Sequence, residues 1–453
     1  MKIINPATEA VIREVEEDTS ASIQAKYEAA KSAQKIWADV SLSDRISCIA
    51  KFNELMLANA DKVAADMTSE VGKPLGQAKG EISGGVGRSQ YFVENSHQYL
   101  ADEWVVREGD TKEKITYEPL GVIANISAWN YPILVGMNVF IPALIGGNVV
   151  LYKPSEYSTL TGLNMAQLLW EAGVPKDVFQ VVIGAKEVGE ALLNLPLDGY
   201  FFTGSYNTGR YIAERAAGKL VPVGLELGGK DPMYACEDVD VKSAAAAGVG
   251  GTFYNNGQSC CAVERIYVHE SIYNQYIEAF LEEAKQLKLG DPTEEGTFLG
   301  SLTRPQQMAV LEDQIADATG KGAKLLLGGK RADRTGYYFE PTVLSNVDHS
   351  MKVMMDESFG PIIGIQKVKD DEEAVRLMLD TPYGLTSAVY TQNKDRAVYI
   401  MNQMNSGTVY WNCCDRVSPR APWSGRGLSG LGSTLSPAGI RAFVQPKSYH
   451  LWG

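Results

Sequence analysis

A doubly wound α/β fold joined to a second α/β domain is the class this sequence predicts, on three observations. Short β-branched runs alternate with helical stretches between residues 122 and 205, the strand, helix, strand crossover of a parallel sheet. The alternation resumes after residue 231. A cysteine then follows a glycine turn in Phe253-Tyr254-Asn255-Asn256-Gly257-Gln258-Ser259-Cys260-Cys261. Amid small and polar residues that thiol reads as a nucleophile rather than as core filling.

Residues 20–100 are mostly helical in pattern, with helices expected at 20–38, 43–59 and 60–71 and a stop at Gly72-Lys73-Pro74. An alternating run at 114–118 reads as an edge strand. Strands at 122–126 and 148–152 flank a helical segment. The pattern continues with helix 159–172, strand 178–183, helix 188–195, strand 199–203 and a helix opening at Ser205, a doubly wound dinucleotide-binding region. Helix 239–255, strand 264–268, helix 271–287 and strands at 364–368 and 387–390 make the second domain.

Composition narrows the class. A chain of 453 residues with 45% hydrophobic content can bury large cores, and its length fits about three domains. The net charge of -13, with no basic run, argues against nucleic acid as a partner. The stretch 119–152 carries no Asp, Glu, Lys or Arg and is long enough to span a bilayer. Pro132, Pro142, Gly146-Gly147 and four asparagines interrupt it, however, so it reads as buried strand, turn, helix and strand, with no membrane partner expected. The start, Met1-Lys2-Ile3-Ile4-Asn5-Pro6, has no apolar signal core. Of the six cysteines, four form the adjacent pairs Cys260-Cys261 and Cys413-Cys414; this is no disulfide framework, and a reducing cytoplasm is expected. His97, His269, His349 and His450 lack metal-ligand spacing, so no metal is expected.

Further motifs accompany the cysteine: Ala128-Trp129-Asn130-Tyr131-Pro132, Lys153-Pro154-Ser155-Glu156, Phe202-Thr203-Gly204-Ser205, Leu225-Glu226-Leu227-Gly228-Gly229-Lys230 and Glu357-Ser358-Phe359-Gly360-Pro361. With Gly257-Gln258-Ser259-Cys260, and in this order, they resemble the signature set of the NAD(P)-dependent aldehyde dehydrogenase superfamily from about residue 4 to the C-terminus. The resemblance implies a Rossmann-type cofactor domain over 1–100 and 120–228, an α/β catalytic domain over 229–415, and a small β oligomerisation arm with the C-terminal tail over 101–119 and 416–453. A homodimer or homotetramer would follow.

Read alone, Thr203-Gly204-Ser205 is a plain strand-to-helix connection, although free amides at a helix start can meet a pyrophosphate. Glu156 alone reads equally as a capping residue. Asn130 is either a buried amide satisfying loop backbone or a donor to a developing oxyanion. Glu226, in an apolar run, is a desolvated base or the partner of a lysine such as Lys230. The resemblance selects among these readings. It assigns Cys260 as nucleophile, Asn130 with the Cys260 amide as oxyanion hole, and Glu226 as general base for thioester hydrolysis. It assigns Ile126, Ser127, Trp129, Lys153, Ser155, Glu156, Gly184, Gly204, Ser205, Leu227, Gly228, Glu357 and Phe359 to the cofactor. A carboxylate at Glu156 repels a 2'-phosphate, which favours NAD while leaving NADP open.

The candidate substrate pocket is Leu134, Asn138, Ser259, Cys261, Arg416, Val417 and Trp423. It is a mixed set without a clear cationic clamp, although Arg416 keeps acidic semialdehydes in play. Neighbouring side chains in an extended segment point to opposite sides, so Cys261 is expected to face away from the tunnel that holds Cys260. Cys413 and Cys414 are expected in its wall. Many relatives carry Trp-Lys at the positions of Asn138-Val139 and a glutamate at Thr434, a pair that supports a proton path from the general base; this chain has neither. The expected reaction is NAD-dependent oxidation of an aldehyde to a carboxylic acid. A non-catalytic protein on the same fold, or a thioesterase, stands as the alternative.

Overall fold

The computed structural model describes residues 1–452. Two sheets organise it. In the first, Val122–Ile126 pairs in parallel with Val149–Lys153 on one side and Gly199–Thr203 on the other. Phe179–Val181 and Val223–Glu226 extend it outward. The strands 122–126 and 199–203 are therefore the point where the winding reverses, and the crevice beyond their C-terminal ends is where such sheets hold ligands. Their side chains are almost wholly buried, as strands covered by helices on both faces must be.

The second sheet has seven strands in the order Lys324–Leu327, Thr342–Ser345, Ile362–Val368, Val263–His269, Asp231–Ala235, Thr386–Tyr390 and Thr408–Trp411. All of its pairings are parallel except the first. A third sheet is antiparallel: Thr111–Pro119 lies between Glu103–Val106 and Val444–Trp452.

The segment 416–453, expected to belong wholly to the arm and tail, divides. Gly430–Leu431 adds an antiparallel edge to the first sheet, opposite Glu226 and Leu225. The amide of Leu227 donates to the Ser429 carbonyl at 3.0 Å. Only Val444–Trp452 joins the small sheet. The return to the first sheet satisfies an edge that would otherwise present unpaired backbone groups, and it carries Thr434 to Glu226.

One long helix, Leu75–Tyr99, goes beyond the sequence reading, which placed a stop just before it. Glycines at 84, 85 and 87 weaken its local propensity. Gly85 supplies the reason for one of them: a Cβ there would stand 2.8 Å from Ile133 Cγ2 and 3.1 Å from Met137 Sδ. The residue lets this helix approach Pro132–Ile145 closely, and that approach shapes one wall of the site.

Candidate active site

The turn before Cys260 is built from strained backbone. After the helix Val241–Phe253 the chain places Asn255, Asn256 and Gly257 in succession at φ 53°, 57° and 69°, a conformation asparagine and glycine tolerate best. A Cβ at Gly257 would lie 2.4 Å from the Gly360 carbonyl oxygen, so the turn seats directly on the Glu357–Pro361 stretch. The Asn255 side-chain amide donates to the carbonyls of Asn130 at 3.0 Å and Gln258 at 3.1 Å. Asn130 Nδ2 donates to the same Gln258 carbonyl at 3.1 Å. Two long-range bonds thus join the Asn130 turn to the Cys260 turn, and the amide of Asn130 keeps one N–H uncommitted.

Three cavities meet at Glu226, and two of them also meet at Cys260. The largest, about 660 Å3, holds both residues together with all seven expected pocket residues: Leu134, Asn138, Ser259, Cys261, Arg416, Val417 and Trp423. Cys413 and Cys414 lie in its wall. A second cavity of about 270 Å3 reaches Cys260 and Glu226 from the other side, past Asn130, Gly204, Ser205, Leu227, Gly228, Glu357 and Phe359. A third, about 240 Å3, lies behind Glu226 and includes Val139, Thr203 and Thr434.

Cys261 corrects an expectation. Residues 260 and 261 lie in a turn rather than a strand, so the rule of alternation does not apply, and both thiols line the same cavity. Cys261 is engaged, with its Sγ donating to Asp415 Oδ1 at 3.0 Å. Its contact with the Cys260 side chain, burial and the neighbouring Asp415 raise its pKa, leaving it a poor nucleophile.

Among the described residues Glu226 has no ion-pair partner. Lys230 instead pairs with Glu264 at 2.7 Å and donates to Ser358 Oγ at 3.0 Å. Burial raises the Glu226 pKa. The hydroxyls of Thr434 and, at 3.3 Å, Thr203 oppose that rise by donating to its two carboxylate oxygens. Glu264, besides holding Lys230, accepts from the amides of Ser358 and Phe359 at 2.8 and 2.9 Å. That fixes the loop on which Glu357 accepts from the Gly229 amide at 3.1 Å. Phe359 meets Trp129 edge-on at 5.5 Å between centroids.

A cleft of about 600 Å3 opens at the reversal of the first sheet. Ile126, Ser127, Trp129, Lys153, Ser155, Glu156 and Gly204 line it. Its donor set fits a dinucleotide. Lys153 is buried, has no carboxylate within ion-pair distance among the described residues, and makes only a 3.5 Å contact with the Pro154 carbonyl. Glu156 accepts from Ser155 Oγ at 3.3 Å at the cleft surface. An ammonium without an ion partner beside a carboxylate with acceptor capacity to spare suits the vicinal hydroxyls of a ribose. At Gly228 a Cβ would strike the Glu357 carboxylate at 2.3 Å, so the inner channel stays open only without one. Gly184 is the exception among the expected cofactor residues: it stands behind the wall, against Val188, and the lining begins at Ala185 and Lys186.

Several site residues escaped the sequence reading. Arg304 lines both the cleft at the sheet reversal and the 270 Å3 cavity that reaches Cys260. Arg88 and Asp415 line the largest cavity. Thr434 was noted there as a replaced position, not as a partner of Glu226. None follows a recognisable local motif, and only the fold brings them in. Among the described residues no group of three or more His, Cys, Asp or Glu could hold a metal ion, and no helix is long and apolar enough to cross a membrane.

Fold and site together define a dinucleotide-binding α/β protein with a cysteine where two cavities converge. Comparison with known proteins agrees: residues 1–449 match the aldehyde dehydrogenase family. An aldehyde dehydrogenase of Emericella nidulans is 36% identical over 99% of this chain and 91% of its own. Among solved structures, an E. coli NADP-dependent enzyme superposes with a TM-score of 0.97 at 31% identity, over 100% of this chain and 94% of that one. An indole-3-acetaldehyde dehydrogenase complexed with NAD+ does so with a TM-score of 0.97 at 32% identity, over 100% and 93%. The chain belongs to the aldehyde dehydrogenase family, whose general reaction is NAD(P)-dependent aldehyde oxidation.

Proposed function

We propose that this chain oxidises an aldehyde to the free carboxylic acid, with Cys260 as nucleophile, Asn130 as oxyanion donor and Glu226 as the base of the hydrolytic step. The observation that carries the reading is the convergence of two separate cavities on Cys260 and Glu226. The aldehyde would enter through the larger. Cys260 Sγ bonds to the carbonyl carbon, and the remaining N–H of Asn130 Nδ2 meets the charge that builds on oxygen. Lys153, Glu156, Gly204 and Glu357 would hold NAD(P), which would supply the hydride acceptor. Loss of hydride leaves a thioester on Cys260. Glu226 then takes a proton from water, which attacks the thioester carbon and releases the acid and the thiolate.

The engaged state of Glu226 favours hydrolysis over transfer to another thiol. A buried carboxylate with its proton affinity raised is suited to activate water. The same reading includes a preference for NAD, since Glu156 repels a 2'-phosphate. It also includes a cytoplasmic setting and a homo-oligomer assembled through the small sheet.

NADH formation should be measured across aliphatic, aromatic, amino and carboxylated aldehydes with each nucleotide. Turnover of at least one class with NAD preferred is expected, and Glu156→Thr should narrow the gap between NAD and NADP. Absence of turnover with every aldehyde would revive the non-catalytic alternative. A wild-type preference for NADP would overturn the role of Glu156.

A further inference from the structure

Arg88 is a cation without a counterion. It projects from the helix Leu75–Tyr99 into the cavity that holds Cys260 and is partly buried. Among the described residues no carboxylate lies within 4.0 Å of its guanidinium. Its one side-chain hydrogen bond is to Asn138 Oδ1, at 3.2 Å from Nη1. A guanidinium has five N–H donors and stays charged at any physiological pH, so most of its capacity is unspent.

The acids of the cavity are occupied elsewhere. Glu81 pairs with buried Lys73 and accepts from the amides of Ile133 and Leu134 at 2.8 and 3.3 Å. Glu226 is held by Thr434 and Thr203. Asp415 accepts from Cys261, and burial pushes its pKa up to about 6. The Arg88 charge acts on Glu226 and Asp415 at longer range, lowering the pKa of each against the effect of burial.

A partly buried cation without a partner is stabilised when something of opposite charge joins it. The hydrogen bond to Asn138 adds direction. Asn138 lines the same cavity, with its Oδ1 accepting from Arg88 and its amide N–H groups making no hydrogen bond. A guanidinium fork beside an amide N–H matches the two oxygens of a carboxylate. A primary ammonium would meet repulsion there, and a neutral chain would leave these donors unanswered.

We infer that Arg88, oriented by Asn138, binds a carboxylate carried by the substrate, so that the preferred substrates are aldehydes with a carboxylate at the far end of the chain. The inference rests on the dehydrogenase reading and names the substrate class of that same site. Arg416, exposed at the cavity mouth, adds positive charge along the approach.

Matched pairs separate the two claims. Initial rates of NADH formation are measured with succinic semialdehyde against butanal, with glutaric semialdehyde against pentanal, and with an aminobutanal. For the wild type, kcat/KM for the acid should exceed that of its neutral partner by at least about 10-fold, and in Arg88→Met that ratio should fall by at least about 30-fold. The loss should appear mainly in KM, because the carboxylate is held alike in ground and transition states. Arg88→Lys should recover part of it. Should Arg88→Met fail to fold, wild-type inhibition provides the test: glutarate should compete with the aldehyde, and glutaramide should not. A wild type that oxidises butanal or the aminobutanal as well as the acids, or a ratio unmoved in Arg88→Met, overturns the carboxylate assignment and leaves the dehydrogenase reading standing. No NADH from any aldehyde overturns both.

Discussion

Glu226 shows how single contacts set the chemistry. Its raised pKa comes from burial, and the hydroxyls of Thr434 and Thr203 offset part of that by stabilising the charged form. A base must be deprotonated to work, so hydrolysis should gain speed as pH rises through the Glu226 pKa. Removing a donor to the carboxylate raises that pKa further. Thr434→Val should therefore move the ascending limb of the kcat profile to higher pH, while Thr434→Ser leaves it in place. A limb unmoved in Thr434→Val would separate Thr434 from the base. That Cys260, Glu226 and Asn130 share one cavity was legible through the family resemblance, because each sits in a short local motif. The places of Thr434 and Arg88 were not: Thr434 meets Glu226 across 208 residues, and Arg88 meets Asn138 across 50. Only packing of the helix Leu75–Tyr99 and return of the C-terminal segment to the first sheet create those pairs.

Among the elements, the parallel strands were the most legible. Their near-continuous apolar runs between turn residues place 122–126 and 199–203 with the bounds the structure shows. The helix Leu75–Tyr99 and the edge Gly430–Leu431 were obscured by their glycines, of which Gly85 and Gly430 serve close approach. The turn over Tyr254–Gly257 is the most demanding local structure. Gly257→Ala would force a Cβ at φ 69° to within 2.4 Å of the Gly360 carbonyl oxygen, and should cost more than about 1 kcal/mol. It should lower the thermal midpoint and reduce turnover together, since the same turn aims Cys260 and rests on the loop of Glu357. A melting curve identical to wild type would show that the turn yields without strain.

For the whole molecule, the small antiparallel sheet stands out by its surface. Glu103–Val106 is exposed along its length, with Trp104 39% and Val105 61% accessible, and Trp452 at the other edge is 84% accessible. Open edges carrying large apolar side chains are association surfaces unless covered. Deleting residues from 444 onward should convert the oligomer proposed here into a smaller species by sedimentation, while the remaining chain keeps its helical circular dichroism. An unchanged mass would place the interface elsewhere. The remaining architecture brings two cavities together on Cys260 and Glu226. The most direct test mixes Glu226→Gln with NAD and a turned-over aldehyde, quenches in acid, and measures intact and peptide masses. The proposed mechanism predicts a burst of NADH and one acyl group on Cys260, because oxidation precedes the step that needs the base. An acyl group on Cys261, or loss of the burst with no adduct at all, would contradict it.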